Sequence, residues 1–213
     1  VTPPAGLLQF PFPLGEAWQF NGTHGWSGYS DPPSSIDFSR EWPVCGLAFY
    51  DEVVVTAGAG TLRKPRSYAD CWLEVDHAGG WTTSYYHLTD VVRESGPVEA
   101  NVPLGRVGCE TCVGGFASAA HVHFSLKYNG AYVSLDGIAL SDWTVHPGPG
   151  YYSTETWLSR ADLAYYAYSR LLNDAGQCGW IGTPQLVAPA HGTLLSNAQV
   201  ALQWNPPAGE PAP

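Results

Sequence analysis

Short runs of β-branched and aromatic residues, each ended by turn-forming residues, are the feature that most constrains the fold of this chain. The clearest of these runs are residues 53–55, 73–75, 82–86, 122–128 and 132–135. An Asn129-Gly130 pair precedes the last run and is the strongest short signal for a β-hairpin. With 24 Gly and 18 Pro among 213 residues, turns are frequent, as in sheet-rich domains. The pattern predicts a mainly β fold of antiparallel strands with long loops.

One segment departs from this pattern. Between residues 155 and 173, apolar and aromatic residues recur at helical spacing. They are Trp157, Ala161, Ala164, Tyr165, Tyr168 and Leu172. This spacing predicts a short helix near residues 155–173.

The domain organisation follows from a change in composition near the end of the chain. Residues 1–183 are expected to form one domain, which is long enough to bury a core. Residues 184–213 combine a Pro/Gly-rich entry with alternation at Val200, Leu202 and Trp204, which resembles the first strands of a fibronectin type III-like domain. About thirty residues are too few for a β-sandwich. This segment is therefore expected to be a linker and the start of a truncated second domain, or a strand that packs on the first.

Charge and hydropathy exclude two classes of partner. The formal net charge of −10 argues against nucleic acid, whose binding proteins carry basic patches. No run of about 18 apolar residues is present, so no membrane span is expected. We expect a monomer. Because the sequence begins with Val1 and shows no basic-then-apolar leader, the chain resembles a processed product without its export signal.

Five cysteines indicate an oxidising compartment, although a cytosolic enzyme could carry them reduced. They are Cys45, Cys71, Cys109, Cys112 and Cys178. Cys109 and Cys112 also form a Cys-x-x-Cys pair, which is typical of redox or metal sites but has no second pair to complete a zinc knuckle. We therefore predict a secreted, extracellular protein.

A His-x-His pair lies in the run at residues 119–126. Alternate side chains of a strand share a face, so His121 and His123 can point into one cleft. Two neutral imidazoles aimed at one point can begin a zinc site. Such a pair is also common on a surface, or in a core where backbone groups bond it.

Further histidines and one carboxylate could complete such a site. His24 lies in a Gly-rich loop that can bend to aim a ligand. Asp37 stands between Ile36 and Phe38, where a buried charge would need a partner such as a metal, although a turn-capping Asp is an equal alternative. His87 ends a β-rich run at residues 81–87. No His-Glu-x-x-His occurs, so a helix-borne protease site is absent from the sequence.

These residues belong to a series of motifs that runs over residues 19–133 and weakens beyond residue 149. In order they are His24, Ser34-Ser35-Ile36-Asp37, the segment from Cys71 to Trp81, Ser84-Tyr85-Tyr86-His87, Cys112-Val113-Gly114-Gly115, His121-Val122-His123-Phe124-Ser125-Leu126 and the segment from Tyr128 to Leu135. The series resembles the beta-lytic metallopeptidase and staphylolysin family, a branch of the lysostaphin-type zinc endopeptidases. The order of the motifs makes the resemblance specific.

The resemblance implies a zinc metalloendopeptidase with one Zn²⁺ per chain. His24, Asp37 and His123 would be the metal ligands, and His87 and His121 the catalytic pair, with their individual roles left open. It also implies a Cys71–Cys112 disulfide. A second bridge between Cys45 and Cys109 is not part of the resemblance and is a guess.

Three tyrosines are candidates to line the substrate groove or to donate to the oxyanion: Tyr86, Tyr151 and Tyr152. Simple aromatic packing is an equal alternative for them. Among the other histidines, His77 is expected to be structural, whereas His146 and His191 are expected to be solvated.

The function that the resemblance implies is hydrolysis of glycine-containing peptide bonds in the cross-bridges or stem peptides of bacterial peptidoglycan, with bacteriolytic effect. Two alternatives remain: a catalytically silent module that binds the cell envelope, and a broader secreted protease of Gly-rich proteins. The net charge would slow the approach to polyanionic cell walls, so the target is less anionic or another module anchors the enzyme.

Overall fold

The structure is a computed structural model that describes residues 1–26 and 31–174, together with two short strands near the end of the chain. The chain divides into two compact units, Val1–Gly176 and Gln177–Pro213. The predicted domain boundary at residue 183 lies outside the described residues and stays a prediction. Within the described part, no helix is long and apolar enough to cross a membrane.

Antiparallel strands make up nearly all the regular structure among these residues, and the prediction of a mainly β fold is confirmed. A single 3₁₀ turn, Ala78–Gly80, interrupts them. The strands, numbered in chain order, are β1 (Ala17–Phe20), β2 (Ser35–Ser39), β3 (Val53–Val55), β4 (Gly60–Arg63), β5 (Leu73–Asp76), β6 (Trp81–Tyr86), β7 (Gly96–Val98), β8 (Pro103–Arg106), β9 (Val122–Tyr128), β10 (Ala131–Tyr132), β11 (Ala139–Leu140), β12 (Trp143–His146), β13 (Trp157–Arg160), β14 (Leu163–Tyr166), β15 (Arg170–Leu172), β16 (Leu186–Ala188) and β17 (Gln203–Trp204).

Two sheets contain most of these strands. The large sheet has the order β15-β1-β2-β9-β6-β5-β4-β7, and β10 pairs with β9. The predicted hairpin between β9 and β10 is confirmed: Asn129 and Gly130 turn the chain with φ of 48° and 80°. A four-stranded sheet has the order β11-β12-β13-β14, and β3–β8 and β16–β17 form separate pairs.

The large sheet separates an apolar face from a polar face because side chains alternate along each strand. On β9, Val122, Phe124 and Leu126 are fully buried in the main core. Aromatic side chains stack beneath them, and Phe12 lies between Phe10 and Trp18 at ring-centroid distances of 5.2 and 5.0 Å. The polar residues of β9 therefore point to the opposite face, where the candidate site lies.

The predicted helix near residues 155–173 is wrong. Strands β13, β14 and β15 occupy this segment. Ala161 turns the chain between β13 and β14 with φ of 49°, and Tyr168 turns it again with φ of 72°. The apolar residues at helical spacing are thus shared among strands, where their aromatic side chains pair across the sheet.

The part of the chain that the structure describes contains two disulfides, Cys45–Cys109 and Cys71–Cys112. The pairing that the resemblance implied and the guessed second bridge are both confirmed. Cys178 lies outside the described residues. The short segment from Cys109 to Cys112 precedes β9 and has one bridge at each end. The two bridges therefore fix the backbone around Glu110.

Candidate metal centre and groove

A row of three side chains crosses the polar face of the large sheet. Asp37 on β2 pairs in register with His123 on β9, which pairs with Tyr86 on β6. Directly opposed residues on neighbouring strands project from the same face. These three residues, here called the buried row, are 4%, 6% and 4% exposed for Asp37, His123 and Tyr86 respectively.

His24 reaches the buried row from a loop that runs beside β2. Its backbone N–H and carbonyl both bond to Ser35 at 2.9 Å, which extends the pairing of the sheet. Gly22 allows the loop to pass closely under a neighbouring segment, because a Cβ there would lie 2.3 Å from the Tyr152 backbone. The loop therefore holds the His24 ring against the row.

Three ligand atoms meet at this point: His24 Nε2, Asp37 Oδ1 and His123 Nδ1. His24 Nε2 lies 3.0 Å from His123 Nδ1 and 3.3 Å from Asp37 Oδ1. His123 Nδ1 lies 3.0 Å from Asp37 Oδ1. A tetrahedral ion with ligand bonds of ~2.1 Å separates its ligand atoms by about 3.4 Å. The triangle is close to the spacing that one metal ion requires.

The hydrogen bonds around the triangle leave its atoms available. His24 Nδ1 donates to the Gly22 carbonyl at 3.1 Å, so Nε2 carries the lone pair. Asp37 Oδ1 is buried and accepts no hydrogen bond from the described residues. A buried carboxylate oxygen without a donor is costly, and a cation would satisfy it. These three residues fit a metal ion.

Asn21 orients the carboxylate and was not predicted from the sequence. Its side-chain amide donates to Asp37 Oδ2 at 2.6 Å and accepts the Asp37 backbone N–H at 3.0 Å. This double contact turns Oδ1 toward the histidines. The only sequence signal was a polar residue beside the Gly-rich loop, and this signal does not predict which residue the side chain would contact.

His87 and His121 lie next to the triangle, with their ring centroids 4.8 Å apart. His87 Nδ1 donates to the Glu110 carbonyl at 2.7 Å, and His121 Nδ1 donates to the Ala119 carbonyl at 2.8 Å. Nε2 of each ring therefore carries the lone pair. His121 Nε2 is 3.5 Å from Asp37 Oδ2. His87 also adopts a positive φ of 66°, a strained conformation of the kind that clusters at functional sites.

Burial and charge set the protonation of this cluster. Burial lowers the pKa of His87 to about 3 and that of His123 to about 4, and neighbouring histidines add to the effect at both. Burial alone would raise the pKa of Asp37, but His24 and His121 hold it well below its usual range. Burial would lower the pKa of His24, yet the Asp37 carboxylate raises it overall. The site thus combines an ionised carboxylate with neutral imidazoles at His87 and His123.

A cavity of about 370 Å³ opens above these residues. Aromatic side chains and a glycine-rich segment form its walls. The residues that line it are His24, Gly25, Trp26, Tyr86, His87, Val113, Gly114, Gly115, Phe116, His123, Tyr151 and Tyr152. All three tyrosines singled out from the sequence therefore line the cavity, as do three of the five predicted histidine and aspartate positions.

The three tyrosines differ in their contacts. The Tyr86 hydroxyl donates to the Gly114 carbonyl at 2.6 Å and accepts the Val113 N–H at 3.0 Å, so it braces the cavity wall. The Tyr151 hydroxyl bonds to the Asp31 carbonyl. The Tyr152 ring stacks on His24 with centroids 4.1 Å apart and planes 18° apart. Tyr152 therefore covers one side of the ligand triangle.

The other histidines lie away from the triangle. His77 is buried and bonds to the Ala59 carbonyl and to Thr83 Oγ1, both at 2.8 Å, in agreement with a structural role. His146 was expected to be solvated, but it is only half exposed and stacks on Trp157 at 3.9 Å. His191 lies outside the described residues.

An antiparallel β domain with a triangle of candidate metal ligands and two further histidines beside an open cavity fits the class of the metallopeptidases. Residues 46–135 match the model of Peptidase family M23. That match contains His87, His121 and His123, whereas His24 and Asp37 precede it.

Relatives with known names agree with this class. Protease LasA of Pseudomonas aeruginosa is 38% identical over 175 residues, or 80% of this chain and 39% of that protein. The beta-lytic metalloendopeptidase of Lysobacter enzymogenes is 34% identical over 160 residues, or 71% of this chain and 85% of that protein. A solved structure described as "A Novel M23 Metalloprotease Pseudoalterin from Deep-sea" has a TM-score of 0.71 and 28% identity, covering 78% of this chain and 98% of that one.

The chain belongs to peptidase family M23. The resemblance to beta-lytic metallopeptidases is confirmed, and the family is one of metal-dependent peptidases. The chain spans 39% of the length of Protease LasA.

Proposed function

We propose that this chain is a secreted zinc endopeptidase that hydrolyses glycine-containing peptide bonds in bacterial peptidoglycan, in cross-bridges or stem peptides. The observation that carries the proposal is the triangle of His24, Asp37 and His123, whose ligand atoms lie 3.0–3.3 Å apart at the base of an open cavity. The two confirmed disulfides support an oxidising, extracellular location.

Two imidazoles, one carboxylate and an open position form a ligand set that zinc uses in hydrolytic sites. When bound, zinc supplies a water of lowered pKa and polarises the scissile carbonyl. The protein contributes the geometry. Asn21 fixes the carboxylate, and the Gly22 carbonyl fixes the tautomer of His24, as carbonyl and carboxylate partners commonly do for metal ligands.

His87 and His121 are the proposed acid–base pair. Each ring is held by a backbone carbonyl at Nδ1, which leaves Nε2 as the atom that would exchange a proton; Nε2 of His121 also lies 3.5 Å from Asp37 Oδ2. One proton must leave the attacking water, and one must reach the amine of the leaving peptide. A ring that has accepted the proton of the water at Nε2 carries an N–H there, which can donate to the charged oxygen of the tetrahedral intermediate before the proton passes to the amine.

The walls of the cavity support a preference for glycine. Tyr152 covers His24 on one side, and Trp26 packs edge-to-face with His123 at a centroid distance of 5.1 Å on another. Tyr86 is tied to the opposite wall at Gly114. A substrate side chain next to the scissile bond would meet these fixed rings, whereas glycine would pass between them.

The test is digestion of purified peptidoglycan with glycine cross-bridges, measured as new amino termini identified by mass spectrometry. Peptidoglycan with direct cross-links and soluble elastin serve as comparison substrates. We expect chelator-sensitive cleavage of glycine bonds in the wall, restored by zinc. Preferential digestion of elastin would favour a broader protease of Gly-rich proteins. A zinc-loaded chain that cleaves none of these substrates would contradict the proposal and favour a silent envelope-binding module.

A further inference from the structure

The carbonyl that holds the His121 ring belongs to a short backbone pairing outside the numbered strands. His121 Nδ1 donates to the Ala119 carbonyl at 2.8 Å. Ala119 itself pairs with Val44, and the N–H of the following Ala120 donates to the Pro43 carbonyl at 2.7 Å. The orientation of the His121 ring therefore depends on a carbonyl that this pairing keeps in place.

The carbonyl that holds the His87 ring lies in a second segment, which pairs with the same stretch of chain. His87 Nδ1 donates to the Glu110 carbonyl at 2.7 Å. Two residues earlier, the Gly108 carbonyl accepts the backbone N–H of His121 at 3.1 Å. A Cβ at Gly108 would lie 2.6 Å from the His87 carbonyl oxygen, so this segment passes close to the His87 backbone as well. Residues 108–110 thus contact both histidines.

The Cys45–Cys109 disulfide joins these two supporting segments. Cys45 follows the residue that pairs with Ala119, and Cys109 precedes the residue whose carbonyl holds His87. The Cα atoms of the two cysteines are 5.8 Å apart. One covalent link therefore restricts the movement of both carbonyls.

We infer that the Cys45–Cys109 disulfide is a positioning element for both histidines of the proposed acid–base pair, so that turnover depends on whether this bridge is closed. The inference rests on the proposed function. An imidazole exchanges a proton productively only in the correct tautomer and orientation, and the partner of its other ring nitrogen sets both. A displacement of a catalytic group by about 1 Å can lower turnover by about 10²-fold.

The two disulfides differ in what they hold. Cys71–Cys112 also closes the segment that contains Glu110, and it ties that segment to the residues before β5. Within the described part of the chain, those residues do not pair with Ala119. Opening this bridge should therefore disturb the His87 ring, whereas opening the other bridge should disturb both rings.

The direct test is nuclear magnetic resonance of the zinc-loaded chain with isotopically labelled histidine, because a buried, hydrogen-bonded Nδ1–H group gives a resolved signal. Cys45→Ser with Cys109→Ser gives the open-bridge variant. This variant should lose or broaden the Nδ1–H signals of His87 and His121. The Nδ1–H signal of His24 is the internal reference and should stay unchanged, because its carbonyl partner lies in a different loop.

Two matched controls separate positioning from a general loss of stability. Cys71→Ser with Cys112→Ser removes the other disulfide and should affect the His87 signal but not the His121 signal. Leu171→Ala removes a buried side chain on β15, an edge strand of the large sheet, and should leave both signals intact. Loss of both signals in Leu171→Ala would assign the effect to stability and overturn the inference.

Steady-state kinetics on the same preparations measure the consequence for turnover. The open-bridge variant should keep one zinc per chain and a KM within about twofold, while its kcat falls by about 10–100-fold. Leu171→Ala should keep the wild-type kcat. An unchanged kcat in the open-bridge variant, or a loss of zinc that parallels the loss of activity, would overturn the inference. If the wild type cleaves no peptide, the proposed function fails, and the histidine signals still decide whether the bridge positions the rings.

Reduction of the folded wild type replaces the open-bridge variant if that variant does not fold. Cys45 is exposed, whereas Cys71 is 2% exposed, so a water-soluble phosphine should open the Cys45–Cys109 bridge first. The phosphine breaks the S–S bond and is oxidised to its oxide with the oxygen of water, while both sulfurs take up protons and become thiols. Alkylation and mass spectrometry identify the open bridge. We expect the two histidine signals and kcat to fall together and to recover on reoxidation. Unchanged signals in a chain with this bridge open would overturn the inference.

Discussion

The buried row and a row on the four-stranded sheet formed by His146, Trp157 and Tyr166, here called the aromatic row, are built alike and differ in what covers them. Each consists of three residues in register across three antiparallel strands. Loops cover the buried row, so its members are at most 6% exposed, whereas Tyr166 in the aromatic row is 55% exposed. Strand register alone therefore brings the side chains of each row together. The loops that cover a row determine how far its side chains are buried.

Burial changes the chemistry of the first row. Asp37 is ionised in surroundings that exclude water, and its Oδ1 lacks a hydrogen-bond donor among the described residues. Such a group needs a cation. The aromatic row carries no carboxylate, and its His146 and Trp157 rings stack on each other at a centroid distance of 3.9 Å.

The largest expected effect comes from removing a proposed metal ligand. His123→Ala should abolish stoichiometric zinc binding, measured by elemental analysis, and lower kcat/KM by roughly 10³-fold or more, because the metal contributes several kcal/mol to catalysis. His146→Gln is the control in the aromatic row and should keep one zinc per chain. Full zinc content in His123→Ala would contradict the claim that the buried row, and not the aromatic row, binds the metal.

Substitutions in the proposed acid–base pair, His87 and His121, should separate metal binding from turnover. His87→Ala and His121→Ala should keep zinc and lose roughly 10²–10⁴-fold in kcat, the usual contribution of a general acid or base. Metal analysis and steady-state kinetics on one preparation of each variant test this. Near-normal kcat in both variants would remove the pair from the mechanism.

The Cys71–Cys112 bridge lies next to the cavity above the buried row, because Val113, the residue after Cys112, lines that cavity. Cys71→Ser with Cys112→Ser should lower the free energy of unfolding by up to about 4 kcal/mol, since the bridge closes a loop with a sequence separation of 41 residues. Urea denaturation measures the change. An unchanged free energy of unfolding would contradict the stabilising role of the bridge.

The smallest of these effects is expected at Asn21, which orients Asp37 without touching the metal position. Asn21→Ala should weaken zinc affinity by about 10–100-fold, as for other residues that orient metal ligands. Competition with a chromogenic chelator measures this affinity. Asn21→Asp keeps the size of the side chain but adds a like charge beside Asp37, so it should not restore the affinity. Unchanged affinity in both variants would contradict the positioning role.

The sequence predicted the buried row better than the aromatic row. Alternation at His121 and His123 depends only on strand geometry, which β-rich composition and the Asn129-Gly130 turn indicate. The aromatic row was hidden because Trp157 and the residues after it recur at helical spacing. The turn at Ala161 requires a positive φ, which alanine seldom adopts, so its position carried no signal.

The backbone groups that orient the two further histidines were also not predictable from residue types. His87 is held by the backbone carbonyl of Glu110, and His121 by that of Ala119. A carbonyl is present at every position of the chain, so no side-chain pattern marks these partners. The fixed segment between Cys109 and Cys112 places the Glu110 carbonyl, and this depends on the tertiary structure.

The most direct test of this account is anomalous diffraction at the zinc absorption edge from a crystal of the zinc-loaded protein. We expect one strong peak at ~2.0–2.2 Å from each of His24 Nε2, Asp37 Oδ1 and His123 Nδ1, with the fourth position open to the cavity. A peak bound by other residues, or none at the triangle in crystals that contain one zinc per chain, would contradict the central claim that the buried row and His24 form the metal centre.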